Sequence, residues 1–117
     1  MKQSLSDELR VRHVLDAMGE IDAYLQNVSL EDFLSNSEKR FATIKQLEII
    51  GEACNRISTA IKEEYPEIEW NNIIGFRNIS IHEYFGVNFQ IVWQIAKNDL
   101  PVLKTQFLKV LNELNER

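Results

Sequence analysis

Apolar side chains recur at intervals of three and four residues along most of the chain, and this spacing restricts the possible folds more than any other feature. In the first segment the apolar residues are Val11, Val14, Met18, Ile21 and Leu25. This spacing puts them on one face of a helix, which we predict to start at the capping-like Ser6-Asp7-Glu8 and to run to about Gln26. A short helix is predicted around residues 30–34, with Ser29 as its N-cap.

The longest helix is predicted from Ser37 to about Glu64, where the Tyr65-Pro66 pair stops it. Its apolar stripe consists of Leu47, Ile50, Cys54, Ile57 and Ile61, and Phe41, Ile44 and Ile49 broaden it. Burial on more than one side is therefore expected. Gly51 inside this helix costs about 1 kcal/mol relative to alanine, which indicates that a neighbouring helix or backbone approaches closely there.

The second half of the chain continues the helical pattern. Residues 70–84 are predicted to form one helix or two short helical turns, broken near Gly75 and ended by Gly86. Asn88 caps a further helix, and Pro101 either kinks that helix or lies in the first turn of a final one. No segment alternates with period two for long enough to form a strand. The sequence therefore predicts a single domain, residues 1–117, with an all-α, up-and-down bundle of four to six helices.

Charge and composition exclude several classes of function. The net charge of −5, from 18 acidic and 13 basic residues, argues against a protein that coats nucleic acid through broad electrostatics. The single cysteine, Cys54, excludes an internal disulfide and a cysteine-rich zinc site, and we expect it to be a small buried apolar residue. The chain has neither an apolar stretch of roughly 18 residues nor a signal-peptide core, so we expect a cytoplasmic protein without a membrane partner.

Metal-ligand spacing is not found around the histidines. His13 and His82 lie in different segments and neither has a paired carboxylate motif beside it. A glycine-rich loop that would hold phosphates is also missing. We therefore expect no metal and no cofactor, and His13 has no assigned role.

One run of the sequence concentrates chemically active side chains, namely Arg77-Asn78-Ile79-Ser80-Ile81-His82-Glu83-Tyr84. On a regular helix Arg77 and Tyr84 point almost the same way, about 10.5 Å apart along the axis, whereas His82 projects about 140° away from Arg77. Arg77 and His82 can therefore meet on one phosphate in only two ways. Either the helix breaks before His82, or two copies of the chain bring their runs together across a two-fold axis.

These residue types suit RNA cleavage without a metal. The imidazole of His82 can move a proton to or from the ribose-phosphate linkage near neutral pH. The guanidinium of Arg77 can hold the phosphate and stabilise the charge of the transition state, with Asn78 in support. Tyr84 offers a hydroxyl and a ring face for a base. Positive potential for RNA near Arg77 is expected from Lys39, Arg40, Lys45 and Arg56.

Simpler interpretations of the same residues exist. Arg77 can pair with Glu83 on the surface, and His82 can be a structural histidine held by hydrogen bonds. Tyr84 can lie at the edge of the core with its hydroxyl in water. Taken one at a time, these interpretations are as good as the catalytic one or better.

The order R-x4-H-x-Y, filled by Arg77, His82 and Tyr84, resembles the signature of HepT-like toxins in the HEPN ribonuclease superfamily. Further similar stretches cover nearly the whole chain. They are LEIIGEA at 47–53, YPEI at 65–68, Trp70, GFRN at 75–78, HEYFGV at 82–87, Val92-Trp93 and Leu100-Pro101. Phe76 is a mild departure, because the family often has methionine at that position.

The resemblance implies a HEPN-like helical bundle that acts as a homodimer, with the paired motifs lining a cleft between subunits. It implies a metal-independent endoribonuclease, a hydrolase that is the toxin of a type II/VII-like toxin-antitoxin module. The antitoxin implied is a minimal nucleotidyltransferase that transfers AMP to Tyr84, where nucleotide phosphates would block RNA entry. The alternative function is a non-catalytic helical binding partner and substrate of such a nucleotidyltransferase.

Overall fold

Three long helices form the framework of the computed structural model, which describes residues 2–79 and 88–117. In chain order the elements are α1 (Lys2–Leu25), α2 (Leu30–Ser35), α3 (Ser37–Arg56), α4 (Thr59–Glu64), α5 (Trp70–Ile74), a 3₁₀ helix (Gly75–Asn78), α6 (Phe89–Gln94), a π-helical turn (Ile95–Asp99) and α7 (Leu100–Asn115). No strand occurs in either described range. The predicted all-α bundle is confirmed.

Helix α1 packs against both other long helices and runs antiparallel to α7. Near the middle of α1, Arg12 donates a hydrogen bond to Asn115 Oδ1 at the end of α7, at 3.4 Å. Near the end of α1, Asp22 pairs with Lys104 at the start of α7, at 3.6 Å. The five apolar residues predicted for this helix are all buried, which confirms the predicted stripe.

The start predicted for α1 at Ser6-Asp7-Glu8 is wrong, because the helix is already formed from Lys2. Asp7 is only 2% exposed and its carboxylate does not cap its own helix. It accepts two hydrogen bonds from Ser58, one from the backbone N–H at 2.8 Å and one from the hydroxyl at 2.6 Å. The apparent cap is therefore a buried link between the start of α1 and the chain just beyond α3.

This link lies where the predicted single helix from residue 37 to residue 64 is interrupted. Ile57 and Ser58 have extended backbones, with ψ angles of 140° and 152°. Ser58 then starts α4 by accepting the N–H of Ile61 on its hydroxyl, at 3.3 Å. The prediction of one continuous helix is wrong, because Ser58 serves α4 and Asp7 at once and cannot remain in a helix.

Burial along α3 follows most of the predicted stripe. Ile44, Leu47, Ile50 and Cys54 are buried, as are Ile57 and Ile61 beyond the helix end. Phe41 and Ile49, however, are 51% and 37% exposed. The expectation that these two residues broaden the buried face is wrong, so α3 keeps one side open to solvent.

The end of α1 is held by two lysines. Lys97 Nζ donates to the carbonyl of Leu25 at 3.1 Å, and Lys39 Nζ donates to the carbonyl of Tyr24 at 3.0 Å. Asn27 follows with a φ of 60°, the left-handed conformation that commonly ends a helix. Cations at a helix C-terminus satisfy its free carbonyls and oppose its dipole, so both lysines contribute to the fold.

The shorter elements agree with their predicted capping residues. Ser29 accepts the N–H of Asp32 at 3.1 Å at the start of α2, and Asn88 accepts the N–H of Gln90 at 2.9 Å at the start of α6. Pro101 lies in the first turn of α7, which follows α6 through the π-helical turn. None of the described helices is long and apolar enough to cross a membrane.

Candidate functional site

The closest backbone approach at a described glycine occurs between Gly51 of α3 and the start of the Arg77 run. A Cβ atom placed on Gly51 would lie 2.4 Å from the backbone nitrogen of Arg77 and 3.0 Å from the carbonyl oxygen of Ile73. The first distance is too short for a side chain to fit unless the Arg77 backbone moves, and the second is a tight contact. The prediction that Gly51 permits a close approach is confirmed, and the neighbour is the residue proposed to bind phosphate.

The backbone that carries Arg77 is not a regular α-helix. Helix α5 ends at Ile74, and residues Gly75–Asn78 form a 3₁₀ helix, so the predicted break near Gly75 is confirmed. A 3₁₀ helix has about three residues per turn, so angles worked out for a straight α-helix do not apply through Arg77. Ser80–Val87, including His82, Glu83 and Tyr84, lie outside the described residues. The meeting of Arg77 with His82 therefore stays a prediction.

The side chains of Arg77 and Asn78 are both exposed. Among the described residues, neither side chain has a hydrogen-bond or ion-pair partner. The alternative partner Glu83 lies in the undescribed segment. The backbone of Arg77 is thus fixed against α3, while its guanidinium projects from the surface where an anion can reach it.

Arg40 contacts the chain just beyond residues 80–87. Its guanidinium lies 4.7 Å from the ring centroid of Phe89, the first residue of α6, and its Nη1 donates to the carbonyl of Leu34 at 2.6 Å. Arg40 and Gly51 are eleven positions apart on α3, which places them about 20° apart around the helix and about 16.5 Å apart along it. One face of α3 therefore contacts the chain on both sides of residues 80–87.

The other basic candidates have different surroundings. Lys39 is bonded to the end of α1, as described above. Lys45 and Arg56 are exposed, and they lie about 120° and 140° around α3 from Gly51. Arg56 Nε pairs with Glu52 at 3.1 Å, an i, i+4 pair on the helix surface. Of the four, only Arg40 shares the face of α3 that carries Gly51, and RNA binding by any of them remains a prediction.

A pocket of about 460 Å³ lies between α5, the 3₁₀ helix and α7. Phe76 and Ile73 contribute to its apolar wall, and its carboxylates come from Glu67, Glu69 and Asp99. None of the described residues that line it is a lysine or arginine, so the field of this lining repels a phosphate backbone. Although it is the largest of the described pockets, its charge is wrong for RNA.

The single cysteine, Cys54, is buried, which confirms the expectation drawn from the apolar stripe. Burial raises the pKa of its thiol to about 12, so it stays protonated and unreactive at neutral pH. Within residues 2–79 and 88–117, no three His, Cys, Asp or Glu side chains are grouped closely enough to hold a metal ion.

The sequence reasoning missed the roles of Asp7 and Arg40. Asp7 resembled an ordinary helix-capping residue, and no local signal in the sequence connects it with Ser58, which is 51 positions away. Arg40 resembled a free surface cation, although its contact with Phe89 joins two segments that are also distant in sequence. Both contacts depend on the packing of helices, so spacing within one segment does not reveal them.

Comparison with known proteins agrees with the resemblance in the sequence. The family described as "Ribonuclease HepT-like" matches residues 14–110. The chain is 38% identical over 110 residues to a Thermococcus cleftensis protein named "Probable ribonuclease HepT", covering 94% of this chain and 98% of that protein. It is 36% identical over 104 residues to a candidate RNase of Methanocaldococcus jannaschii, covering 89% and 90%.

A candidate RNase of Caldanaerobacter subterraneus is 32% identical over 103 residues, covering 88% of this chain and 92% of that protein. No solved structure matches the chain significantly. The family match includes Gly51, the 3₁₀ helix and the whole run from Arg77 to Tyr84. This chain belongs to the HepT-like ribonuclease family.

Proposed function

We propose that this protein is a metal-independent endoribonuclease, the toxin of a two-gene toxin-antitoxin module. The observation that carries the proposal is the contact between Gly51 and Arg77, in a chain that belongs to a ribonuclease family. A guanidinium on a backbone fixed against a long helix, with its head exposed, is placed to bind a phosphate. This arrangement supports phosphodiester chemistry better than a passive surface role.

In the proposed mechanism Arg77 binds the scissile phosphate and stabilises the charge that develops on it. His82 transfers a proton on the ribose-phosphate linkage, and Asn78 helps to orient the phosphate. The linkage breaks by attack of the ribose 2′-oxygen on phosphorus, and the 5′-oxygen leaves with a proton. Two subunits are proposed to share one cleft, so that each linkage meets Arg and His side chains from both copies.

Inactivation is proposed to occur at Tyr84. A nucleotidyltransferase antitoxin would attach AMP to its hydroxyl, two residues from His82 and seven from Arg77. The added phosphate carries negative charge and can occupy the guanidinium in place of RNA. Mass spectrometry after co-expression with the neighbouring nucleotidyltransferase should find one or more AMP groups on Tyr84. Neutralised toxicity with an unmodified Tyr84 would contradict this step.

The proposal is tested by incubating RNA with the purified protein in the presence of EDTA. Cleavage is expected to survive EDTA and to be lost in His82→Ala and Arg77→Ala, while Lys109→Gln, an exposed change on α7, cleaves normally. Cleavage that stops in EDTA would disprove metal independence. If the wild-type protein cleaves no RNA but still receives AMP on Tyr84, it is instead a non-catalytic partner of the nucleotidyltransferase.

The shared cleft has a separate test in solution. Sedimentation at micromolar concentration should give a dimer. Mixing Arg77→Ala with His82→Ala subunits should restore part of the cleavage if each linkage uses groups from both copies. A monomer that cleaves at full rate would disprove the shared cleft while leaving the ribonuclease proposal intact.

A further inference from the structure

A second pocket, of about 290 Å³, lies in the groove between α1 and α3. Its lining residues are Arg10, His13, Ile49, Glu52, Ala53 and Arg56. Two guanidiniums and an imidazole face one carboxylate, so the pocket carries a net positive charge in a protein whose total charge is −5. The charge of this basic groove is therefore opposite to that of the acidic pocket beside Phe76.

Arg10, which lines the basic groove, also carries a donor that has no partner in the described part of the chain. The Nε atom of Arg10 is buried and makes no hydrogen bond with any described residue. A buried N–H of a charged group without an acceptor is costly, and such a group usually indicates a missing ligand or water. Arg56 differs, because its Nε is already bonded to Glu52 at the rim.

The shape of the basic groove limits what it can bind. Ile49 and Ala53 provide an apolar floor, and Ile49 is one of the exposed apolar residues of α3. A volume of about 290 Å³ is at the lower end of the range for small-molecule sites, which suits a phosphate with its sugar better than several stacked bases. Guanidinium groups are the side chains best matched to phosphate oxygens.

The basic groove is also separate from the Arg77 surface. Arg56 lies about 140° around α3 from Gly51, so the groove opens on the other side of the helix. Neither Arg77 nor Asn78 lines it. A ligand in the groove therefore does not occupy the proposed catalytic surface of the same subunit.

We propose that the basic groove is a second phosphate-binding site, in which Arg10 and Arg56 hold a phosphate group, His13 donates a further hydrogen bond, and Ile49 and Ala53 contact the attached sugar. The phosphate belongs either to the RNA backbone or to a free nucleotide. In the first case the groove extends the RNA-binding surface of the proposed ribonuclease beyond its catalytic cleft. In the second it senses a nucleotide.

The test measures binding to the full-length protein carrying His82→Ala, so that no RNA is cut. One arm titrates a fluorescent single-stranded RNA at several salt concentrations, and the other titrates AMP and inorganic phosphate by calorimetry. Arg10→Gln and Arg56→Gln are each expected to weaken binding in the responding arm about tenfold, as for loss of a charge-assisted hydrogen bond. In the RNA arm the salt slope should also fall by about 0.7.

Arg12→Gln is the matched control, because it removes the same charge from the same helix only two residues away. Arg12 bonds to Glu8 and Asn115 and does not line the groove. Its affinities should stay within about twofold of the parent protein, since one exposed charge contributes little by itself. Arg56 is exposed, so Arg56→Gln keeps the test valid even if Arg10→Gln proves unstable in thermal unfolding.

Loss of RNA affinity assigns the groove to the RNA backbone, and loss only with AMP or phosphate assigns it to a nucleotide. Equal affinities in all three variants, or no binding of any probe, would disprove the second site. The outcome is independent of the catalytic proposal. If Arg10→Gln loses RNA affinity but the wild-type protein does not cleave RNA, the groove is supported and the ribonuclease proposal is rejected. If the wild-type protein cleaves RNA but the groove variants bind every probe normally, only the ribonuclease proposal is supported.

Discussion

Helix α3 holds two neighbours by opposite means. At Gly51 the absence of a side chain allows the backbone of Arg77 to approach, whereas just beyond the end of α3 a buried carboxylate, Asp7, accepts hydrogen bonds from the backbone N–H and the hydroxyl of Ser58. The first contact sets the backbone position of Arg77, the proposed phosphate ligand, and the second fixes helix α1 against the bundle. Damage at Gly51 should therefore appear mainly in activity, and damage at Asp7 mainly in stability.

The sharpest test of this difference is Gly51→Ala, which should have the largest effect. The new methyl group must push the Arg77 backbone away by about 1 Å, and displacement of a catalytic group on that scale lowers the rate about a hundredfold. Overpacking should also destabilise the protein by about 1–3 kcal/mol, in part offset by the higher helix propensity of alanine. The measurements are RNA cleavage rate and thermal unfolding.

Gly19→Ala is the control for that substitution. Gly19 lies inside α1 and is exposed, and a methyl group added there would meet no neighbouring atom within 4 Å. The same change there should stabilise the protein by about 0.5–1 kcal/mol and leave cleavage unaltered. Full activity in Gly51→Ala would show that the contact with Arg77 does not position the active group.

Asp7→Ala is expected to act on stability instead. It leaves the buried N–H of Ser58 without its acceptor and removes a charge-assisted bond from the hydroxyl, a loss of about 3 kcal/mol in the free energy of unfolding. The fraction that remains folded should cleave RNA at the wild-type rate. Urea titration checks the first expectation and a single-turnover assay checks the second.

Glu8→Ala is the companion to Asp7→Ala. Glu8 is the next residue along α1 and forms a surface pair with Arg12, so its loss should cost no more than about 0.5 kcal/mol. If the two variants were equally stable, the Asp7–Ser58 link would not be what anchors α1.

The same two contacts show how much of the fold could be predicted from the sequence. The periodic stripes predicted the helices, because burial of one face follows directly from spacing. Gly51 was recognisable as a close approach because glycine destabilises a helix interior, although Gly19 in α1 has the same cost and no close neighbour among the described residues. The break at Ser58 was not predictable. It depends on Asp7, which reaches Ser58 only after α1 and α3 have packed.

The candidate site divides in a similar way. Only the resemblance to HepT-like toxins favours the Arg77 run over its simpler interpretations, and its catalytic role stays a prediction. Residue types and spacing proposed the run, because few side chains suit phosphate chemistry without a metal. They did not separate cations that face RNA from cations used by the fold. Lys39 caps α1 and Arg40 covers Phe89, and both look like free surface charges in the sequence.

The burial of α3 near Gly51 can be tested at alkaline pH through the thiol of Cys54, which is three residues further along the helix. Its pKa is raised from 9.0 to about 12 in the folded state by burial, so the folded protein holds this proton more tightly than the unfolded chain. Stability is therefore unaffected below about pH 9 and falls as pH rises towards 12, by about 1.4 kcal/mol at pH 10 for this group alone.

Urea titrations from pH 8 to pH 10 should show that fall in the wild-type protein and a shallower one in Cys54→Ala. A smaller slope is expected to persist in the variant, because burial and the hydrogen bond to Glu113 also raise the pKa of Tyr65. Identical slopes for the two proteins would mean that Cys54 is not shielded beneath the contact.

The smallest effect is expected at Arg40, which can either stabilise the fold or bind RNA. If Arg40 mainly holds Phe89 and Leu34, Arg40→Gln should lower stability by about 1 kcal/mol, the sum expected for a weak cation-π contact and a surface hydrogen bond. Lys45→Gln, an exposed lysine on another side of α3, should leave stability unchanged. If Arg40 instead binds RNA, Arg40→Gln should reduce the salt slope of RNA affinity by about 0.7 without loss of stability. One substitution separates the two roles. Thermal unfolding and RNA titration of the same sample therefore decide whether this face of α3 only supports the Arg77 run or also contacts RNA.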